Sequence, residues 1–183
     1  MYRKLLGFMA SLGLVSALFL SSHAAKASEP TGVAATIPVH ETQPVEESLF
    51  NANVEQLIFK LVNEERAKAG LPALEYNTVL ETYARIKSQD MGDRNYFGHP
   101  DPEGQLMQSQ LDADGIQYVV WGENLAMVGG YELDDEALAQ MFLNNWMNSE
   151  GHRANILSPD FEQIGIGVYQ VGNRIYATQE FMK

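Results

Sequence analysis

The chain has no cysteine among its 183 residues. Disulfide bridges are therefore excluded even though other features point to export, and the fold has to hold together by core packing alone. Basic residues are scarce as well: 12 Lys and Arg stand against 24 Asp and Glu, a formal net charge of −12. A surface this negative repels nucleic-acid phosphates and anionic lipid head groups, so no nucleic-acid partner is expected. Metal-ligand spacing of the H-E-x-x-H type is absent, and so is a G-x-S-x-G nucleophile elbow. No internal repeat is present.

Long apolar runs are limited to one, Leu5 to Leu20. Arg3 and Lys4 precede it and the small-residue site Ala25-Lys26-Ala27 follows, which is the three-part pattern of a secretory signal peptide. An uncleaved anchor is the rival reading, because the run is only slightly shorter than the ~20 residues that span a bilayer. Cleavage after Ala27 is the reading adopted, with residues 1–27 as signal peptide and no stable membrane anchor afterwards. With no cysteine after the run, a lipoprotein anchor is excluded. Removal of Arg3, Lys4 and Lys26 leaves 9 basic against 24 acidic residues, a balance of −15 over 156 residues. That length suffices for one domain with a sizeable core.

Residues 28–50 carry three prolines and no sustained apolar period, and read as an extended linker. The domain follows over 51–183. Asn53, with Gln56 three residues on, is read as the N-cap of a first helix bearing Val54, Leu57, Ile58, Leu61 and Val62, stopped at Gly70. A second helix starts near Asn77 and turns Leu80, Tyr83, Ala84, Lys87 and Met91 to one side. A short third helix runs from about Gln105 to Ala113, and Ile116 to Val120 reads as a strand. A fourth begins at Asp134 or Asp135 and buries Leu138, Met141, Phe142 and Trp146. Two strands, Ile164 to Tyr169 and Arg174 to Phe181, flank a hairpin turn at Val171-Gly172-Asn173. Gly165 and Gly167 leave one strand face nearly bare, so another element can approach it closely. Helices followed by strands define an α+β layered domain.

Three stretches hold chemically capable residues in what read as non-helical settings. They are His99 within Tyr96-Phe97-Gly98-His99-Pro100-Asp101-Pro102-Glu103-Gly104, Glu123 within Trp121-Gly122-Glu123-Asn124-Leu125-Ala126, and His152 within Ser149-Glu150-Gly151-His152-Arg153-Ala154-Asn155-Ile156-Leu157. Each has a plain structural explanation: a loop histidine, a helix cap, and a ring bonded to a helix end. Spacing alone does not decide between those and one shared pocket.

In these residues the chain resembles a known family. Phe97-Gly98-His99 with Asp101 and Gly104, Gly122-Glu123-Asn124-Leu125-Ala126, Trp146 with Ser149 and Gly151-His152-Arg153, Asn155-Ile156-Leu157, Ile164-Gly165-Ile166-Gly167 and Thr178-Gln179-Glu180-Phe181 are similar to the motifs of the CAP superfamily. That superfamily is also called SCP/PR1-like, and the likeness is strongest to its secreted bacterial YkwD-like branch. Val62-Asn63-Glu64-Glu65-Arg66 and Gly70-Leu71-Pro72-Ala73-Leu74 match too, so the resemblance covers about residues 53–183.

The resemblance implies a three-layer α-β-α sandwich with a central antiparallel sheet. It also implies a cleft able to hold Zn2+ or another divalent cation, with His99, Glu123 and His152 as the metal residues. Ser149, Glu150, Asn124, Arg153 and Asn155 then line the cleft or support its loop. The eukaryotic pattern has a second acid where this chain has Ser149, and the neighbouring Glu150 is not promoted to a ligand.

The leading functional expectation is a secreted, extracellular or cell-wall-associated binding module for an unidentified ligand or cell-envelope partner. A metal-dependent hydrolase with Glu123 as general base stays open. So does a lipid carrier, for which the methionines near Met141 and Met147 are an argument and a large apolar groove beside the cleft would be the sign. No complete catalytic signature is present.

Overall fold

The computed structural model describes residues 50–130 and 132–183. The expected signal peptide, residues 1–27, and residues 28–49 of the expected linker lie outside the described residues. The chain runs α1 (Ala52–Lys68), β1 (Glu75–Tyr76), α2 (Thr78–Asp93), α3 (Met107–Ala113), β2 (Trp121–Gly129), α4 (Asp135–Met147), α5 (Glu150–Ile156), β3 (Gln163–Val171) and β4 (Arg174–Met182). The four strands form one sheet in the order β1-β3-β4-β2.

The three longer strands are antiparallel, with Glu123 opposite Glu180 between β2 and β4, and Gly165 opposite Glu180 between β3 and β4. The two-residue β1, unanticipated from the sequence, adds to β3 in parallel. That places β2 at one edge.

Alternation along the strands sorts side chains into two layers. One sheet face packs against α1, α4 and α5 through Ile164, Ile166, Val168, Phe181, Val54, Ile58, Phe142 and Trp146, which form the main core. The other receives α2. Had Gly165 a Cβ, it would stand 2.1 Å from the Glu81 backbone nitrogen, and at Gly167 it would stand 2.2 Å from that of Arg85. The bare face inferred from the sequence is thus where α2 lies directly on the sheet. Ser88 completes the contact by bonding Gly167 O and Thr178 Oγ1, both at 2.9 Å. The α-β-α sandwich is the architecture observed.

Four local readings are corrected. The cap of α1 is Asn51, not Asn53: its side chain accepts from Val54 N, while its own N–H reaches Val168 O at 3.1 Å. Tertiary docking fixes the helix start two residues earlier than the apolar period suggests. Phe50, assigned to the linker, bridges Tyr169, with ring centroids 5.0 Å apart, and so belongs with the domain. Ile116 to Val120 is not a strand. Ile116 and Tyr118 pack on Tyr83, Met107 and Leu111 under α3, Val119 is exposed, and β2 begins only at Trp121. Residues 150–156 form the helix α5, whereas the sequence reads as a turn.

Candidate functional site

Lys87 projects from the buried side of α2 and is 2% exposed. Its ammonium group donates to the His99 carbonyl oxygen at 2.6 Å and to the Tyr96 hydroxyl at 3.2 Å. Tyr96 in turn donates to Asp90 at 2.6 Å. Beyond His99 the loop is closed by Asp101, whose side chain accepts from the backbone N–H groups of Glu103 and Gln105 at 2.9 and 2.7 Å. The prolines on either side of Asp101 stiffen the same stretch. His99 is therefore presented by a segment tied down at both ends.

Glu123 lies within β2, not after a strand as the sequence suggests. Its Oε1 meets His99 Nδ1 at 2.6 Å, and its side chain is only 1% exposed while that of His99 is half exposed. A buried carboxylate bound to Nδ1 makes that nitrogen the protonated one and leaves Nε2 as the outward nitrogen with a free lone pair. Directly across the sheet stands Glu180, fully buried, with Oε2 accepting from the Trp121 indole N–H at 2.7 Å. Glu123 Oε2 and Glu180 Oε1 are buried without a hydrogen-bond partner.

His152 comes from α5, in the opposite helical layer. Asn124, fully buried beside Glu123, donates to the His152 carbonyl and to Gln179 Oε1, both at 3.0 Å. Asn155 donates to Asn124 Oδ1 at 2.9 Å. Gly122 lets α5 and its connection close over β2, since a Cβ there would meet the Phe161 ring at 2.7 Å. The buried guanidinium of Arg66 donates to Ile156 O and Ser158 O at 2.8 Å and to Pro72 O at 2.9 Å, holding the far end of α5. The His99 backbone is thus tied to α2 through Lys87, and the His152 backbone to β2 through Asn124. Burial pushes the His152 pKa down, and the positive charge His99 carries when protonated would push it further in the same direction.

The remaining residues take lesser parts. Ser149 precedes α5 and its carbonyl accepts from Arg153 N at 2.9 Å. Arg153 donates to Met147 O at 3.1 Å, joining α5 to α4. Glu150 is exposed at the start of α5. Lys87 and Glu180 were legible only as a core-facing helix residue and a motif letter. The signal that would have found Glu180 is the period-2 alternation that puts it on the α2 face with Thr178.

Whether these residues suit a cation turns on the donors. Among the described residues, no group of three or more His, Cys, Asp or Glu side chains is placed to hold an ion. Glu123, expected as a ligand, has Oε1 committed to His99 and so acts behind the ring. The imidazoles of His99 and His152 are the donors left for an ion, and Glu123 is the carboxylate that orients the His99 ring.

Three layers with a His99–Glu123 pair at the edge strand define the class. The family model described as the cysteine-rich secretory protein family, CAP, matches residues 59–181, and the chain belongs to that family. It is 41% identical over 128 residues to YkwD of Bacillus subtilis strain 168, an uncharacterized protein, covering 70% of this chain and 46% of YkwD. An extracellular SCP-domain protein from Bacillus anthracis is similar in structure, with a TM-score of 0.58 and 32% identity over 71% of this chain and 40% of that one. This chain thus spans less than half the length of either relative. NaASP2, solved with Zn2+, shares the fold with a TM-score of 0.56 at 13% identity, covering 74% of this chain and 82% of that one. Among the described residues no helix is long and apolar enough to cross a membrane.

Proposed function

We propose that this chain is an exported CAP-domain binding module whose cleft holds a divalent cation such as zinc between His99 and His152 and recognises a polar ligand of the cell envelope. The observation that carries the reading is the 2.6 Å contact between His99 Nδ1 and the buried Glu123, which aims Nε2 outward in the ligand form. The depressed pKa of His152 supports it, since neutral imidazole is what binds a metal ion. A bound cation would supply a Lewis-acidic anchor for a ligand oxygen.

Hydrolysis is less well supported. A general base has to reach water in the cleft, whereas Glu123 is buried behind His99. The lipid reading is weaker still. Between α2 and α3 lies a cavity of about 360 Å3 whose lining mixes Lys87, Asp90, Arg94 and Asp101 with Ile86, Leu106 and Met107, and the four charged groups disfavour an acyl chain there. Met141 and Met147 pack against the main core instead of lining a groove.

Calorimetric titration of the mature protein with zinc should show one site, lost in His99→Ala and in His152→Ala while both variants stay folded. Undiminished binding in either variant, or none in the wild type, would overturn the reading.

A further inference from the structure

We propose that the groove between α2 and α3 is a binding site in its own right, built without either histidine, and that it takes an extended segment of a partner protein, apolar in its middle and basic at both ends.

The cavity of about 360 Å3 between these helices continues into one of about 480 Å3, since Ile86 and Gln110 line both. One wall is the row Thr78, Thr82, Ile86, Asp90 and Arg94, spaced four apart and so on one side of α2. At 1.5 Å per residue the row is about 24 Å long, the span of about seven residues of extended chain. Of the seven large apolar side chains exposed among the described residues, Val79, Ile86 and Leu106 line this groove. Scattered singly they would need no explanation; gathered along one groove they mark a docking surface.

The polar groups decide what docks. Lys87 is buried and bonded to His99 O and Tyr96, and Arg94 is paired with Asp90 and Glu103, so neither cation is open to an anion. The acids keep free acceptors. Asp114 accepts from Tyr83 through Oδ2, Asp101 accepts from two backbone N–H groups through Oδ1, and the other oxygen of each has no partner among the described residues. Asp101 lines one cavity and Asp114 the other, which puts one such oxygen in each half of the groove. With 24 acidic against 12 basic residues, the field of the whole chain favours a basic partner and repels a second copy. The side chains of Gln105, Ser109 and Gln110 make no hydrogen bond among the described residues and can pair with a peptide backbone. A sugar ring is less well matched, because its C–H face stacks on an open aromatic ring. Here the Tyr96 ring lies against Lys87 and Arg94, and Tyr83 is packed with Met107 and Leu111.

The probe is a dye-labelled seven-residue peptide with lysine at both ends and leucine alternating with serine between them, followed by fluorescence anisotropy. The protein should bind it, and should bind a version ending in glutamate, or one with serine at every inner position, about tenfold more weakly or worse. Ile86→Ser and Asp114→Asn should each weaken the lysine peptide about tenfold. Asp114→Asn keeps an acceptor for Tyr83, and Val79→Ser, at a more exposed position, repeats the apolar test if Ile86→Ser does not fold. In amide spectra of the wild-type protein the peptide should shift resonances of α2 and α3. No binding at millimolar peptide, equal binding of the lysine-ended and glutamate-ended peptides, unchanged affinity in the folded variants, or shifts centred on α5 would overturn the proposal. So would chitotriose, or a concentration-dependent dimer, shifting the α2 and α3 resonances where the peptide does not.

Discussion

The Lys87 ammonium group and the His99 carbonyl oxygen are 2.6 Å apart, a link from the centre of α2 to the loop that presents the cleft histidine. Burial lowers the Lys87 pKa, while Glu123, Asp90 and Glu180 oppose the shift. The ammonium group is thus a buried cation kept in place by acids on both sides. Lys87→Met keeps the volume and removes the charge and the two hydrogen bonds to Tyr96 and His99. It should cost about 2 kcal/mol, or about 4–8 °C in melting temperature for a domain of this size. Zinc affinity should fall about tenfold, because the loop is no longer tied. Calorimetry of both quantities checks this; stability lost with affinity unchanged would show that Lys87 does not position His99.

Gly167 is predicted to tolerate no side chain. Its φ is not in the left-handed region, so the obstacle is packing: a Cβ would stand 2.2 Å from the Arg85 backbone nitrogen and 2.3 Å from the Ala84 carbonyl carbon. Backbone cannot swing aside as a side chain can. Gly167→Ala should destabilise the protein by about 3 kcal/mol or more in urea unfolding, whereas Gly151→Ala, with nothing within 4 Å of the added carbon, should be nearly neutral.

His152 gives a signed pH dependence. Its folded pKa lies below the ordinary histidine value, so between the two the unfolded chain binds more protons than the folded one. The contribution of the neutral ring is full above about pH 6.5 and is lost as pH falls through the folded pKa. Melting temperatures measured from pH 7.5 down to 5 should decline, with a smaller slope in His152→Gln. An equal slope in both proteins would assign the decline to other groups.

Arg66 is 1% exposed and donates to three carbonyls, those of Pro72, Ile156 and Ser158. Arg66→Met would leave those oxygens without donors and release the end of α5. The expected loss is about 3 kcal/mol or more, since hydrogen bonds from a charged donor are worth about 1.5–3 kcal/mol each. Chemical denaturation measures it, and hydrogen exchange should show α5 opening first.

The sequence by itself determined the α+β class, a second helix starting near Asn77, a fourth starting at Asp134 or Asp135, the hairpin turn at Val171-Gly172-Asn173, and the close approach at Gly165 and Gly167. These are local matters, settled by capping chemistry, by a period of 3.6 or 2, and by the absence of a side chain. Its ordered motifs also identified the family. Only the tertiary structure decided that residues 150–156 coil into α5, because the helix is pinned from outside by Arg66 and Asn124. It alone set Glu123 behind His99 and opposite Glu180. Strand alternation says which side of a sheet a residue faces, but the partner it faces depends on the register between β2 and β4. That register is fixed by packing over the whole strand, and no local pattern around Glu123 or Glu180 records it.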